Sequence, residues 1–196
     1  AIVGVVHVLE RPYEVLVNNT LMLDNVIRLA GLQKNLLHFL FASSSEVYAG
    51  TLKSFGVSIP TPEDAVLTVS ELNEPRTTYM LSKIFGETMC QQAGLPFTVF
   101  RPHNVYGPRM GMAHVIPEQL KKAWEAVSGD AVPVHSASHK RAFCYIDDAV
   151  EMLMKMLETD VCVGKTLNLG TESPEVTMRE VAHMCIKVSG KKLVIK

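Results

Sequence analysis

Tyr79 and Lys83 stand four positions apart in the run Tyr79-Met80-Leu81-Ser82-Lys83. On a helix that spacing places both side chains on one face, so a phenol and an ammonium address the same space. A nearby ammonium favours the phenolate and draws a tyrosine pKa from about 10 toward neutrality. Such a phenol can serve as a general base for a hydroxyl group. The pair alone is common in amphipathic helices, so its surroundings must decide its meaning. Upstream, the polar break Ser43-Ser44-Ser45-Glu46 ends an apolar run. Open α/β sheets bind ligands at the C-terminal ends of their strands, where Ser44 could donate a hydrogen bond to a reacting oxygen. Downstream, residues 101–109 (RPHNVYGPR) end a second apolar run in the same way.

The elements that must position these groups alternate between helical and strand-like patterns. That alternation predicts an α/β protein with a largely parallel sheet. Residues 13–30 follow Pro12, place Leu16, Leu23, Val26, Ile27 and Ala30 near one stripe, and meet a stop at Gly31. Residues 36–42 (LLHFLFA) predict a strand buried on both faces. Residues 50–78, rich in Gly, Pro, Thr and Ser, read as a long loop. A helix is expected over 79–92 with Gly94 behind it, and a second buried strand over 96–100. Residues 116–127 read as a helix and 131–146 as short strands. Asp147 or Asp148 caps a helix running to about residue 158. A strand follows over 165–169. Thr177-Met178-Arg179-Glu180 fits a capping box that opens a last helix to residue 188, with Gly190 as its stop and a final strand over 193–195.

The bulk properties narrow the function classes. The 196 residues are 47% hydrophobic and 20% charged with a net charge of −1, so neither sign dominates. No nucleic-acid partner and no membrane partner are expected. No apolar run approaches the roughly 20 residues needed to cross a bilayer. The first residues lack a basic flank and meet His7 and Glu10, so they do not read as a signal peptide. Cys90, Cys144, Cys162 and Cys185 form no Cys-x-x-Cys pair and have no His at zinc spacing. They read as reduced thiols of a cytoplasmic protein, with no metal site.

Five segments together resemble the extended short-chain dehydrogenase/reductases that modify sugar nucleotides, namely epimerases, 4,6-dehydratases and UDP-glucuronate decarboxylases. They are residues 41–48 (FASSSEVY), 79–83 (YMLSK), 101–109, 140–148 (KRAFCYIDD) and 168–170 (NLG), in family order. The resemblance implies an α/β fold: the C-terminal part of a Rossmann-type doubly wound parallel sheet plus a small α/β substrate-binding domain. Residues 1–105 would form a partial dinucleotide-binding domain with the catalytic residues. Residues 106–196 would mainly bind the sugar nucleotide, with some segments returning to the Rossmann sheet. The family's N-terminal Gly-rich βαβ portion is absent from the sequence, so these 196 residues alone are expected to bind NAD poorly and to be inactive by themselves.

Further roles follow from the resemblance. Tyr79 would be the base. Lys83 would hold the nicotinamide ribose of NAD and the tyrosine pKa, and Ser44 would be the family's Ser/Thr hydroxyl. Asn18, Ala42, Ser43, Pro102 and His103 would lie along the cofactor. Ser45, Asn104, Arg109, His114 and Arg141 would join Ser44 on the nucleoside-diphosphate sugar, Arg141 as a planar bidentate cation for phosphate. Glu46 would be a catalytic or orienting carboxylate. The family chemistry passes through a 4-keto sugar, and a 4-epimerase is the first reading. Ser45 stands where the dehydratases have Asp, and Ser44-Ser45-Glu46 approaches the Thr-Ser-Glu of the decarboxylases, so decarboxylase and 4,6-dehydratase remain alternatives. A non-catalytic binding domain is the reading from a different class, against which the intact Ser44, Tyr79, Lys83, Asn104 and Arg141 stand. The resemblance also implies a homodimer packed through residues 13–30 and 79–92.

Overall fold

The computed structural model describes residues 2–69 and 71–196, with Val5 described by its backbone alone. In chain order, helices α1 (Val5–Glu10) and α2 (Pro12–Gly31) precede strand β1 (Phe39–Ala42). Then come a short 3-10 turn (Ser45–Tyr48), α3 (Ala49–Phe55), α4 (Pro75–Gln92) and β2 (Phe97–Pro102). The chain continues through β3 (Val105–Tyr106), α5 (Val115–Glu125), β4 (Ala131–Val132), β5 (Lys140–Ala142), β6 (Cys144–Tyr145) and α6 (Ile146–Glu158). It closes with β7 (Lys165–Leu169), β8 (Glu175–Thr177), α7 (Met178–Ser189) and β9 (Val194–Ile195). Two compact units result, one from the residues up to His103 with Val150–Leu169, the other from Asn104–Ala149 with Gly170–Lys196.

In the first unit, β1, β2 and β7 form a parallel three-stranded sheet with β2 in the middle. Central β2 buries Thr98, Val99 and Arg101, whereas Phe39, Leu40 and Phe41 of β1 are only half-buried. The predicted strand over 36–42 is therefore corrected. It starts at Phe39, and Leu37 before it is 87% exposed. Among the described residues β1 pairs on one side only, so its apolar side chains lack a second neighbour. Helices α2 and α4 pack on one another, with Val15, Asn19 and Leu23 turned inward from α2. This line is rotated from the predicted stripe, since Val26 is exposed.

Helix α4 begins at Pro75, four residues before the predicted start. Proline suits this first position because its missing N–H would have no intrahelical partner there. The expected loop over 50–78 is also corrected, since residues 49–55 are helical. Packing decides this. A Cβ added to Gly50 would stand 1.9 Å from the Thr68 carbonyl oxygen, and Thr51 Oγ1 donates to the Val66 carbonyl at 2.5 Å. These contacts draw the following segment across α3, and nothing in the local composition announces them.

Gly86 sets how closely α4 approaches β1. A Cβ there would meet the Phe41 ring at 2.3 Å and Leu23 Cδ2 at 3.0 Å. Gly86→Val is expected to destabilise the chain by about 1–3 kcal/mol through overpacking. Urea denaturation checks this, and an unchanged midpoint would show that α4 backs away at no cost.

The second unit buries Ala123, Val132 and Ile186 against Leu193 and Ile195. A second cluster of Met178, Val181 and Cys185 packs on Val115, Ile116, Phe143 and Val176. Thr177 and Glu180 form the predicted capping box, and Gly190 ends α7 in the left-handed conformation. In α6 the helix opens at Ile146, so Asp147 and Asp148 lie in its first turn rather than at its cap.

Candidate active site

The C-terminal end of β1 lies against one face of α4. Tyr79, Lys83 and Glu87 follow at intervals of four along that helix, and Lys83 and Glu87 are buried. Each faces one of three consecutive residues, Ala42 at the end of β1 and Ser43 and Ser44 just beyond it. Lys83 Nζ donates to the Ala42 carbonyl at 2.7 Å. Ser43 Oγ donates to Glu87 Oε1 at 2.5 Å. The Ser44 hydroxyl accepts from the Glu46 amide at 3.2 Å and lies near enough to the Tyr79 phenol to lower its pKa. The Lys83 ammonium stands 5.6 Å from the Tyr79 ring centroid and 5.3 Å from that of Phe41.

The electrostatics differ from the expectation drawn from the Tyr-x-x-x-Lys spacing. The Tyr79 phenol lies above its ordinary pKa, not below it. Burial is the largest cause, because desolvation disfavours the phenolate; the Ser44 hydroxyl opposes the rise and the negative charge of Glu46 adds to it. Burial also lowers the pKa of Lys83. The ammonium is directed to the Ala42 carbonyl, so its proximity to the ring does not by itself offset desolvation.

Behind these groups runs a buried polar network whose key members the sequence motifs leave without a role. Arg101 on β2 forms a two-pronged ion pair with Glu87, Nε to Oε1 at 2.8 Å and Nη2 to Oε2 at 2.6 Å, both side chains 5% exposed. Its Nη1 donates to the Tyr48 hydroxyl at 2.6 Å and to the Glu63 carbonyl at 2.9 Å. Tyr48 donates to Asn168 Oδ1 at 2.9 Å, and His103 Nε2 meets the same oxygen at 3.1 Å. Asn168 Nδ2 donates to the Thr61 carbonyl, which orients the amide. His103 Nε2 must therefore carry the hydrogen in the neutral ring. Burial lowers the His103 pKa, with the Asn168 contact opposing. The sequence does hold one signal of this network: a cation inside the apolar run FTVFRP needs a buried partner.

The other sequence-predicted residues distribute as follows. Pro102 ends β2 and Ser45 opens the 3-10 turn, while Glu46 within that turn is exposed. Asn18 is exposed; its neighbour Asn19 is the one turned onto α4, with Nδ2 at 3.4 Å from Ser82 Oγ. In the second unit, Asn104 adopts a positive φ of 43° and donates from Nδ2 to the Ala142 carbonyl at 3.1 Å. Arg109 has a φ of 66°, His114 precedes α5, and Arg141 lies exposed on β5 opposite Val176. A cavity of about 800 Å³ within this unit is lined by Tyr106, Arg109, Met112, Ile116, Trp124 and Tyr145 among others. It includes Arg109 but not Asn104, His114 or Arg141. Among the described residues no cluster of His, Cys, Asp or Glu has the makings of a metal site, and no helix is long and apolar enough to cross a membrane.

The donor set suits a nicotinamide ribose beside a second hydroxyl-bearing ligand. Lys83 offers three N–H donors, of which Ala42 takes one, and a phenol and a hydroxyl stand next to it. A parallel sheet with Ser44 just beyond the end of β1, beside Tyr79 and the buried Lys83 of the packed helix α4, is an α/β arrangement suited to holding a dinucleotide. The chain belongs to the NAD dependent epimerase/dehydratase family, which residues 1–170 match. It is 32% identical over 190 residues to a UDP-N-acetyl-alpha-D-glucosaminuronate decarboxylase of Bacillus cytotoxicus, covering 93% of this chain and 55% of that protein. It therefore spans about half the length of that relative. Among solved structures it is similar to a UDP-galactose 4-epimerase, with 27% identity, a TM-score of 0.72, and 95% and 59% of the two chains covered. It shares the fold of RMD from Pseudomonas aeruginosa complexed with NADPH, with 19% identity, a TM-score of 0.80, and 98% and 64% covered.

Proposed function

We propose that this chain carries the catalytic centre of an NAD-dependent nucleotide-sugar enzyme that works through a 4-keto sugar, with 4-epimerisation as the reaction. The observation that carries the reading is the grouping of the Tyr79 phenol, the Ser44 hydroxyl and the buried Lys83 ammonium where β1 ends. Tyr79 takes the proton of the sugar 4-hydroxyl. Ser44 donates a hydrogen bond to the same oxygen and steadies charge as the carbonyl forms. Lys83 orients the ribose hydroxyls and supplies a positive charge beside the phenolate. A bound nicotinamide supplies the hydride acceptor and donor. Asn104 and Arg141 of the second unit serve the nucleoside-diphosphate part of the substrate, with Ser45, Arg109 and His114 as further contacts. Asn18, Ala42, Ser43, Pro102 and His103 lie along the cofactor. The same reading includes a homodimer through α2 and α4, supported by the exposed Leu21, Val26, Leu29 and Phe85 on those helices.

A second reading, decarboxylation, is favoured by Ser44-Ser45-Glu46 and by the decarboxylase relative at 32% identity. The test is incubation of the protein carrying this chain, at its full length, with NAD⁺ and UDP-, GDP- and dTDP-sugars. Products are resolved by chromatography and mass spectrometry. A C4 epimer of unchanged mass supports the first reading and loss of carbon dioxide the second. No turnover of any sugar nucleotide overturns both.

A further inference from the structure

We infer that Glu87 is a positioning residue for the Tyr79–Ser44 pair: through Ser43 and Arg101 it fastens α4 to the ends of β1 and β2. The inference rests on the catalytic reading above for its functional meaning, but its geometry stands apart from it.

The helix and the strand end are joined by two hydrogen bonds, Lys83 to the Ala42 carbonyl and Ser43 to Glu87, and Tyr79 lies beside Ser44. Residues i, i+4 and i+8 of α4 thus face residues 44, 42 and 43 from one helical face. Neither joint involves the Tyr79 phenol. The Lys83 joint fixes the carbonyl of Ala42, and the Glu87 joint fixes the side chain of Ser43, directly before Ser44. With both made, the backbone at Ser44 has little freedom relative to Tyr79. Gly86 allows the approach, since any side chain there would overlap the Phe41 ring.

Glu87 is suited to fixing direction. Both carboxylate oxygens are engaged, Oε1 twice and Oε2 once, in a side chain that is 5% exposed. A buried ion pair gives no better net stability than well-packed apolar side chains, because desolvation offsets the attraction. What it supplies that apolar packing cannot is fixed hydrogen-bond geometry. Arg101 extends that geometry to Tyr48 and, through it, to Asn168 and His103. The ends of all three strands of the sheet are therefore referred to one carboxylate on the helix that carries Tyr79.

The hydroxyl of Ser43 is the most selective handle, since removing it leaves the Glu87–Arg101 ion pair intact. The experiment uses the chain labelled with ¹³Cζ-tyrosine. The Tyr79 resonance is assigned with Tyr79→Phe and followed by NMR through its alkaline titration, with circular dichroism at each pH to confirm folding. Ser43→Ala should loosen the Ser44–Tyr79 contact and raise the Tyr79 midpoint by up to about one pKa unit, the worth of one hydrogen bond. Ser43→Thr, which keeps the hydroxyl, should restore the original midpoint. In the protein at full length, Ser43→Ala should lower kcat by about tenfold or more with KM little changed.

An unchanged Tyr79 midpoint in folded Ser43→Ala would overturn the inference. Equal shifts in the Ala and Thr variants would also do so, because packing rather than the hydroxyl would then be responsible. The titration needs no substrate, so it separates failure of this inference from failure of the catalytic reading.

Discussion

Tyr79→Phe is expected to lower turnover of the sugar nucleotide by about 10²–10⁴-fold, the usual worth of a positioned proton acceptor. The variant loses one hydroxyl and keeps the ring that lies beside Lys83, so folding and substrate affinity should change little. Steady-state kinetics on the substrate found in the panel checks this, and a variant within threefold of the parent would remove Tyr79 from the proton step. The pH dependence follows from the direction of the pKa. A base works when deprotonated, so turnover rises with pH through the phenol's midpoint. In the chain without ligands that midpoint lies above the ordinary phenol value of about 10, because burial outweighs the Ser44 contact. The Tyr79 ¹³Cζ signal should therefore remain mostly in its protonated position at pH 10. A midpoint near neutrality would show that the Lys83 ammonium dominates instead.

The largest stability effect is expected at Arg101. Arg101→Ala leaves the Glu87 carboxylate buried without its cation and leaves the Tyr48 hydroxyl with one partner fewer. Breaking a buried pair from one side costs about 3–5 kcal/mol. That is a large part of the 5–15 kcal/mol that stabilises a typical domain. Urea denaturation of the variant should show a midpoint far below that of the parent, or no folded baseline at all. Replacing both members, Glu87→Leu with Arg101→Met, should recover most of the loss, because neither charge is then stranded. A single variant within 1 kcal/mol of the parent would mean that water reaches Glu87. The double variant also separates folding from positioning: it should fold, yet turn over poorly, since the Ser43 joint has gone.

Much of the site is legible in the order of residues alone. Tyr79 and Lys83 share a face because a helix repeats every 3.6 residues, and the Ser cluster after an apolar run marks a strand end. The capping box at Thr177 and Glu180 is equally readable, since a cap is made within four residues. Other features are not readable. The helix over 49–55 depends on Gly50 and Thr51 meeting the segment that ends near Thr68. The half-buried state of β1 depends on how many strands flank it, which a run of apolar letters does not state.

The sequence by itself pointed to the class of chemistry, the alternation of helical and strand-like segments, and the helical face shared by Tyr79 and Lys83. These are local properties, set by side-chain type and by periods of two and 3.6 residues. Only the tertiary structure decided what each group faces. Tyr48 finds Asn168 across 120 residues of chain, and Arg101 finds Glu87 on a different element. It also decided the direction of the Tyr79 pKa. Desolvation depends on everything packed around the phenol, so the four-residue spacing to Lys83 could name the interacting pair but not the balance between charge and burial.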